Sequence, residues 1–351
     1  MDKTPIYWAS KYGHKEVVQL LLGHGADAND VVEGQEAVLH TIPPRLSTAE
    51  IKNWAVLIGI DHVSPGNTKD NTQDRENHGY SDLRGCVNDV LLVEEYLIGV
   101  KAVEPSRIEK LLSPQHPESN GQATYNNIIK ALTSVTENAS PGDLVYIHYS
   151  GISEAVPTVF PTVKGMGQKD GSLVPSDILC GGQYLRDLEI AFLMRKMVDK
   201  GLVPTLVLDC SNPFDGRPIH HRVRKPDPFR LRPDTVVPTS FNEIIDLLSR
   251  TGDSGFLQPR GYTMVAANLS GGCAYEYNGD GKSNGLFTYC LVNRLKQHTA
   301  TPVSSDILLH GVRAMMRRRR RKEVTPVLEG ESGRPFFGAA KVNSSSSFTS
   351  R

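Results

Sequence analysis

No sign of charge predominates in this chain: Lys+Arg and Asp+Glu both number 39 in 351 residues, so the formal net charge is zero. Without a net field the chain is not expected to recruit nucleic acid or an anionic membrane surface. Long hydrophobic runs are missing too. None approaches the ~18 residues that a membrane span needs. The opening residues, Met1-Asp2-Lys3-Thr4-Pro5, lack the apolar core of a secretory signal. Cysteine is scarce: Cys86, Cys180, Cys210, Cys273 and Cys290 are odd in number and widely spaced. No CxxC pair occurs and no cysteine sits at zinc-ligand spacing from a histidine, so neither a disulfide framework nor a zinc site is expected. Reduced thiols place the chain in the cytoplasm, and no metal or cofactor is anticipated. What is present, 39% apolar and 22% charged residues, is ordinary globular composition. The length suits one large α/β domain with a small appendage.

The appendage comes first. Thr4-Pro5-Ile6-Tyr7-Trp8-Ala9 opens a short helical pattern, Gly13-His14 breaks it, and Glu16-Val17-Val18-Gln19-Leu20-Leu21-Leu22 resumes it before Gly25-Ala26-Asp27-Ala28-Asn29. Residues 1–32 resemble one ankyrin repeat, whose TPLHxA opening reads TPIYWA here. A single repeat cannot bury its own apolar face, so it is expected either to pack on the next domain or to close a longer array. Residues 33–51, with Pro43-Pro44, read as a linker.

From residue 52 the pattern changes. Trp54-Ala55-Val56-Leu57-Ile58-Gly59-Ile60-Asp61 reads as a buried parallel strand, and a polar loop follows at 62–80. Helices are predicted over 83–97, 124–137 (N-capped by Thr124), 185–198, 241–248, 285–295 and 305–316. Further strands are predicted over 107–112, 143–149, 204–209 and 262–267. This alternation makes residues 52–340 an α/β domain with a mostly parallel sheet covered on both faces. In such sheets function gathers beyond the carboxyl ends of the strands. That singles out the residues after Asp61, Tyr149-Ser150-Gly151, Asp209-Cys210-Ser211 and the residues after Ala267. The Ser-rich end, 341–351, is expected to be disordered.

These places carry a second resemblance. Leu83-Arg84-Gly85-Cys86-Val87-Asn88-Asp89, His148-Tyr149-Ser150-Gly151, Leu173-Val174-Pro175-Ser176-Asp177 and Leu208-Asp209-Cys210 resemble metacaspase motifs. Ala274-Tyr275-Glu276, Gly285-Leu286-Phe287-Thr288-Tyr289, Thr325-Pro326-Val327-Leu328-Glu329-Gly330 and Phe336-Phe337-Gly338 continue the likeness in family order. The resemblance implies a caspase-like fold, and a cysteine endopeptidase in which a thiolate attacks the peptide carbonyl while an imidazole moves the proton. It also implies proteolysis and programmed cell death as the setting. Here the base position is Ile152 and the nucleophile position is Ser211, and Asn212-Pro213-Phe214 replaces His-Ser-Gly. Loss of such a member costs on the order of 10⁴–10⁶ in rate. Neither Cys210, turned to the opposite face by a one-residue shift, nor His148, His220 or His221 is an expected substitute.

The resemblance further maps a pocket for substrate Arg or Lys onto Cys86, Asp89, Ser150 and Asp209, all retained. Two carboxylates suit a guanidinium, but Asp89 and Asp209 could equally cap helices or bind backbone amides. Calcium dependence is common in the family. The stretch 154–174 reads as a loop and carries only Glu154 and Asp170, so no calcium site is expected there. The basic run Arg317, Arg318, Arg319, Arg320, Arg321 and Lys322 reads as a solvated helix end, with nuclear import as its alternative. The expectation is therefore a pseudopeptidase that binds a protein or basic peptide, an active caspase-like relative being one such partner. Its rivals are an active cysteine endopeptidase cleaving after Arg or Lys and an ankyrin-type adaptor.

Overall fold

A computed structural model describes residues 4–12, 17–18, 21, 51–63, 80, 82–114, 122–210, 236–238, 240–251, 256–268, 274–279, 281–298, 303–319 and 325–337. Two compact units emerge, Met1–Ile51 with Ala340–Arg351, and Lys52–Ala339. In the first, helix α1 (Pro5–Lys11) starts where the Tyr7 N–H donates to Thr4 Oγ1 at 3.4 Å, with Pro5 in the first turn, where no N–H is needed. Ile6 and Ala9, three apart on one helix face, are buried with Val18, and Leu21 packs against them. Trp8 and Tyr12 stay exposed, their rings stacked at 5.9 Å, with Lys11 Nζ 4.9 Å from the Trp8 ring. Residues 22–50 and the tail 341–351 lie outside the described residues.

The second unit begins with β1 (Asn53–Ile60), α2 (Cys86–Lys101), β2 (Ile108–Ser113), α3 (Tyr125–Asn138) and β3 (Leu144–Ser150). It continues through β4 (Ser153–Pro157), β5 (Lys169–Leu173), β6 (Leu185–Arg186), α4 (Asp187–Asp199), β7 (Val203–Asp209) and α5 (Phe241–Thr251). Last come β8 (Thr263–Ala266), β9 (Glu276–Gly279), β10 (Lys282–Gly285), α6 (Leu286–Lys296), α7 (Ser305–Arg318) and β11 (Val327–Gly330). The main sheet has the order β11-β8-β7-β3-β1-β2, parallel throughout except for β11, which runs antiparallel to β8.

Strand alternation divides the core in two. Val56, Ile58 and Ile60 point to the face where Ile128, Leu132 and Val135 of α3 and Met194 and Met197 of α4 are buried. Ala55 and Leu57 point the other way, toward Val90, Val93 and Leu97 of α2, Phe287 and Leu291 of α6, and Leu308 and Val312 of α7. The α/β class read from the sequence is therefore the observed one. Asp143 fastens the start of β3 to β1. Its carboxylate accepts the Lys52 and Ser140 N–H groups and the Trp54 indole N–H, all at 2.9 Å. Among the described residues no helix is long and apolar enough to cross a membrane.

Three local expectations change. The stretch 154–174, read as loop, contains β4 and β5, paired antiparallel from Ser153↔Leu173 to Pro157↔Lys169. These strands carry buried Glu154, Asp170 and Ser172 in place of an apolar alternation, so periodicity could not reveal them. The helix expected from 185 begins at Asp187 because Leu185 and Arg186 pair with β5. The basic run is not solvated throughout. Arg317 and Arg318 are exposed, but the Arg319 guanidinium lies 5.4 and 5.2 Å from the Tyr277 and Tyr289 ring centres.

Candidate functional site

The carboxyl ends of the central strands bring the expected pocket residues together. Gly59, Ser150 and Asp209 are register neighbours across β1, β3 and β7. Cys86 and Asp89 come from the first turn of α2, which lies so close to β1 that a Cβ on Gly59 would sit 2.7 Å from the Cys86 carbonyl oxygen. Glycine is therefore required there. Cys86, Asp89, Ser150 and Asp209 all have 0% exposure.

Donors from the chain itself meet both carboxylates. The Ser150 hydroxyl donates to Asp89 Oδ2 at 2.5 Å, while the Asn284 amide (3.1 Å) and the Gly285 N–H (2.8 Å) donate to Asp89 Oδ1. Asp209 Oδ2 accepts the Thr288 N–H at 2.9 Å and the Thr288 hydroxyl at 2.6 Å, which caps the start of α6. Gly285 lies between the two acids, and a Cβ there would strike both Asp209 Oδ2 and Asp89 Oδ2. The arrangement ties the β9–β10 hairpin and α6 onto the sheet. Asn284 and the hairpin itself escaped the sequence reading, although Asn278-Gly279 and Asp280-Gly281 are strong hairpin-turn dipeptides.

The start of α2 is closed in the same way. Asp61 Oδ1 accepts the Cys86 N–H at 2.7 Å, and Glu276 Oε1 accepts the Arg84 and Gly85 N–H groups at 2.8 Å. Asp61, Cys86 and Glu276 each place a ligand-type atom within 4.8 Å of the others. The carboxylates are held there by three backbone donors, which accounts for their position as helix caps.

Ile152, expected from the resemblance at the base position, is 3% exposed and belongs to the apolar cluster containing Tyr149, Val156, Leu173 and Val174. Its carbonyl accepts the Tyr149 hydroxyl at 2.6 Å and the Val174 N–H at 3.1 Å. Cys210 is 2% exposed in that same cluster. His148 is fully buried, with Nε2 3.4 Å from the Thr288 hydroxyl and its ring stacked on Tyr146. Ser211, His220 and His221 lie outside the described residues.

The two acids of 154–174 are also engaged. Glu154 Oε2 accepts the Tyr80 hydroxyl at 2.8 Å and the Tyr184 hydroxyl at 3.1 Å, and burial raises its pKa. Asp170 lies 2.9 Å from Lys164 Nζ and 2.8 Å from Arg186. Two phenols and two internal cations hold these oxygens, so the residues present do not fit a calcium ion.

Residues 53–214 match the family model of the metacaspase, peptidase C14 domain, and residues 1–32 match that of the ankyrin repeat. Just under half of the chain is thus similar to a metacaspase-type domain, and its first residues to an ankyrin repeat. The metacaspase-type match runs from β1 through β7. It therefore takes in Ile152, Ser211 and the four pocket positions, while Asn284, Gly285 and Thr288 lie beyond it. Arabidopsis thaliana Metacaspase-4 is 37% identical over 135 residues, 38% of this chain and 28% of that protein. Metacaspase-9 of the same plant is 28% identical over 160 residues, 45% of this chain and 42% of that protein. Metacaspase III c of Phaeodactylum tricornutum is 26% identical over 200 residues, 57% of this chain and 51% of that protein. The chain thus spans between about a quarter and a half of these relatives' lengths.

Proposed function

We propose that the chain is a non-catalytic caspase-like module that acts by binding a protein or a basic peptide. The observation that carries this reading is Ile152: where the related peptidases need a proton-carrying imidazole, an aliphatic side chain at 3% exposure completes the core. Neither a donor nor an acceptor is available from that side chain, and the step that activates a nucleophile has no agent. Burial of Cys210 and His148 speaks against their taking over, since a group that does chemistry must reach the substrate. Cys86, Asp89, Ser150 and Asp209 are the proposed recognition residues. A guanidinium reaching the two acids competes with Asn284, Gly285 and Thr288, so recognition is expected to be weak unless the hairpin gives way.

The test is hydrolysis of fluorogenic peptides ending in Arg or Lys, alongside binding of a non-cleavable Arg peptide. No turnover, with binding that Asp89→Asn abolishes in a folded protein, is the expected result. Turnover that disappears in Cys210→Ala overturns the proposal.

A further inference from the structure

The β9–β10 hairpin occupies one of the pocket's acids and is itself fastened at further points. Asn284 and Gly285, at the end of β10, donate to Asp89 Oδ1 at 3.1 and 2.8 Å. The Asn88 amide of α2 donates to the Ser283 carbonyl at 2.8 Å, and Glu276 of β9 accepts the Arg84 and Gly85 N–H groups at 2.8 Å. A further hold comes from the basic run. Tyr277 of β9 and Tyr289 of α6 have ring centres 5.0 Å apart, and the Arg319 guanidinium, just past the end of α7, lies 5.4 and 5.2 Å from them. A hydrogen bond between Arg319 and Tyr277 adds to the contact, and Arg319 Nη1 donates to the Met315 carbonyl at 3.4 Å. A guanidinium beside aromatic rings is attracted by their quadrupoles. Tyr277 is the register partner of Asn284, so the clamp grips the hairpin directly across from the residue that meets Asp89.

Asp89 and Asp209 are fully buried and already carry donors of the kind a guanidinium would supply. A ligand cation reaches Asp89 only when Asn284 and Gly285 leave it. We propose that the hairpin is an internal occupant of the pocket and that Arg319 is its latch. A basic peptide binds by displacing Asn284 and Gly285 from Asp89, and loosening the Arg319 clamp eases that displacement. This rests on the recognition reading above and adds its regulation. The apparent affinity of such a site is its intrinsic affinity scaled down by the fraction of molecules with the hairpin open.

Two readouts on the full chain test it: binding of a non-cleavable Arg peptide, and hydrogen exchange of the β9, β10 and Gly285 amides. Arg319→Ala should speed that exchange at least about threefold and tighten peptide binding by a similar factor, since both follow the open fraction. Arg318→Ala removes the same charge from an exposed neighbour and should change neither, which separates the latch from a general loss of positive charge. Asn284→Ala should tighten binding at least about tenfold. Saturating peptide should speed exchange at β10, where a ligand entering an open, rigid pocket would slow it. Peptide that binds wild type, Asn284→Ala and Arg319→Ala equally, or that protects β10, overturns the proposal and leaves recognition standing. Exchange unchanged in Arg319→Ala overturns the latch. Absence of binding in every variant, with the hairpin exchanging faster, overturns the recognition reading and this proposal with it. If Asn284→Ala does not fold, Arg319→Ala carries the same comparison.

Discussion

Beside its proposed part in recognition, Asp89 fastens the hairpin, and substitution measures that structural part. Three donors converge on it: the Ser150 hydroxyl, the Asn284 amide and the Gly285 N–H. A hydrogen bond to a charged group is worth about 1.5–3 kcal/mol, and each buried donor left unmet costs about 1–3 kcal/mol. Asp89→Ala orphans all three, and non-additivity brings the sum to about 4–6 kcal/mol. Asp89→Asn keeps the shape and loses the charge assistance, for about 2–3 kcal/mol. At about 2 °C per kcal/mol for a unit of this size, the alanine variant should melt about 8–12 °C lower and the asparagine variant about 4–6 °C lower. Hydrogen exchange should localise the loss, with amides of β9, β10 and the start of α6 exchanging at least about tenfold faster. A carboxylate that served recognition alone would behave differently: its removal would leave stability within about 0.5 kcal/mol or raise it. An Asp89→Asn protein that melts at or above wild type, with normal protection at Gly285, refutes the structural argument.

Other outcomes follow from the same kind of reasoning. Ile152→His places an imidazole in an aliphatic cluster and should cost about 2–3 kcal/mol, more at pH 5 than at pH 8 because the imidazolium is harder to bury; a neutral effect in urea melts would mean that the side chain faces an open crevice. Glu189, 1% exposed and bonded to the Tyr125 hydroxyl at 2.6 Å and the Ser240 hydroxyl at 3.2 Å, has its pKa raised from 4.5 to about 6 by burial. Its native state therefore holds a proton more tightly than the unfolded chain, so the protonated form is favoured by folding. Relative to Glu189→Gln, wild type should gain about 1.6 kcal/mol as the pH falls from 7.5 to 4.5, most of it across pH 6 to 4.5, and a gain of the same size in the variant would contradict this. Asp143→Ala leaves three donors unmet, including the Trp54 indole. It should lower stability by about 3 kcal/mol with an unchanged urea slope; a midpoint shift of less than about 0.5 kcal/mol equivalent would show that water replaces the carboxylate.

Much of this molecule was legible residue by residue. The run 54–61, the Thr124 cap and the alternation of strand and helix depend on local periodicity and on capping chemistry, and the structure places Thr124 as the acceptor for the Asn127 N–H at 3.3 Å. The motif residues around Ser150 and Asp209 could be picked out because parallel sheets collect function at strand ends. The argument against proton transfer rested on Ile152 alone, through the family resemblance. What folding decided is the company these residues keep. Sequence left Asp89 and Asp209 open between holding a ligand and holding the fold, because a carboxylate's role depends on which donors come within 3 Å, and here they come from residues 284, 285 and 288. Likewise β4, β5 and the charges around Lys164 have no apolar rhythm to announce them. Lys164, Asp170, Arg186 and Asp187, within 24 residues of sequence, neutralise one another only once the chain has folded back on itself.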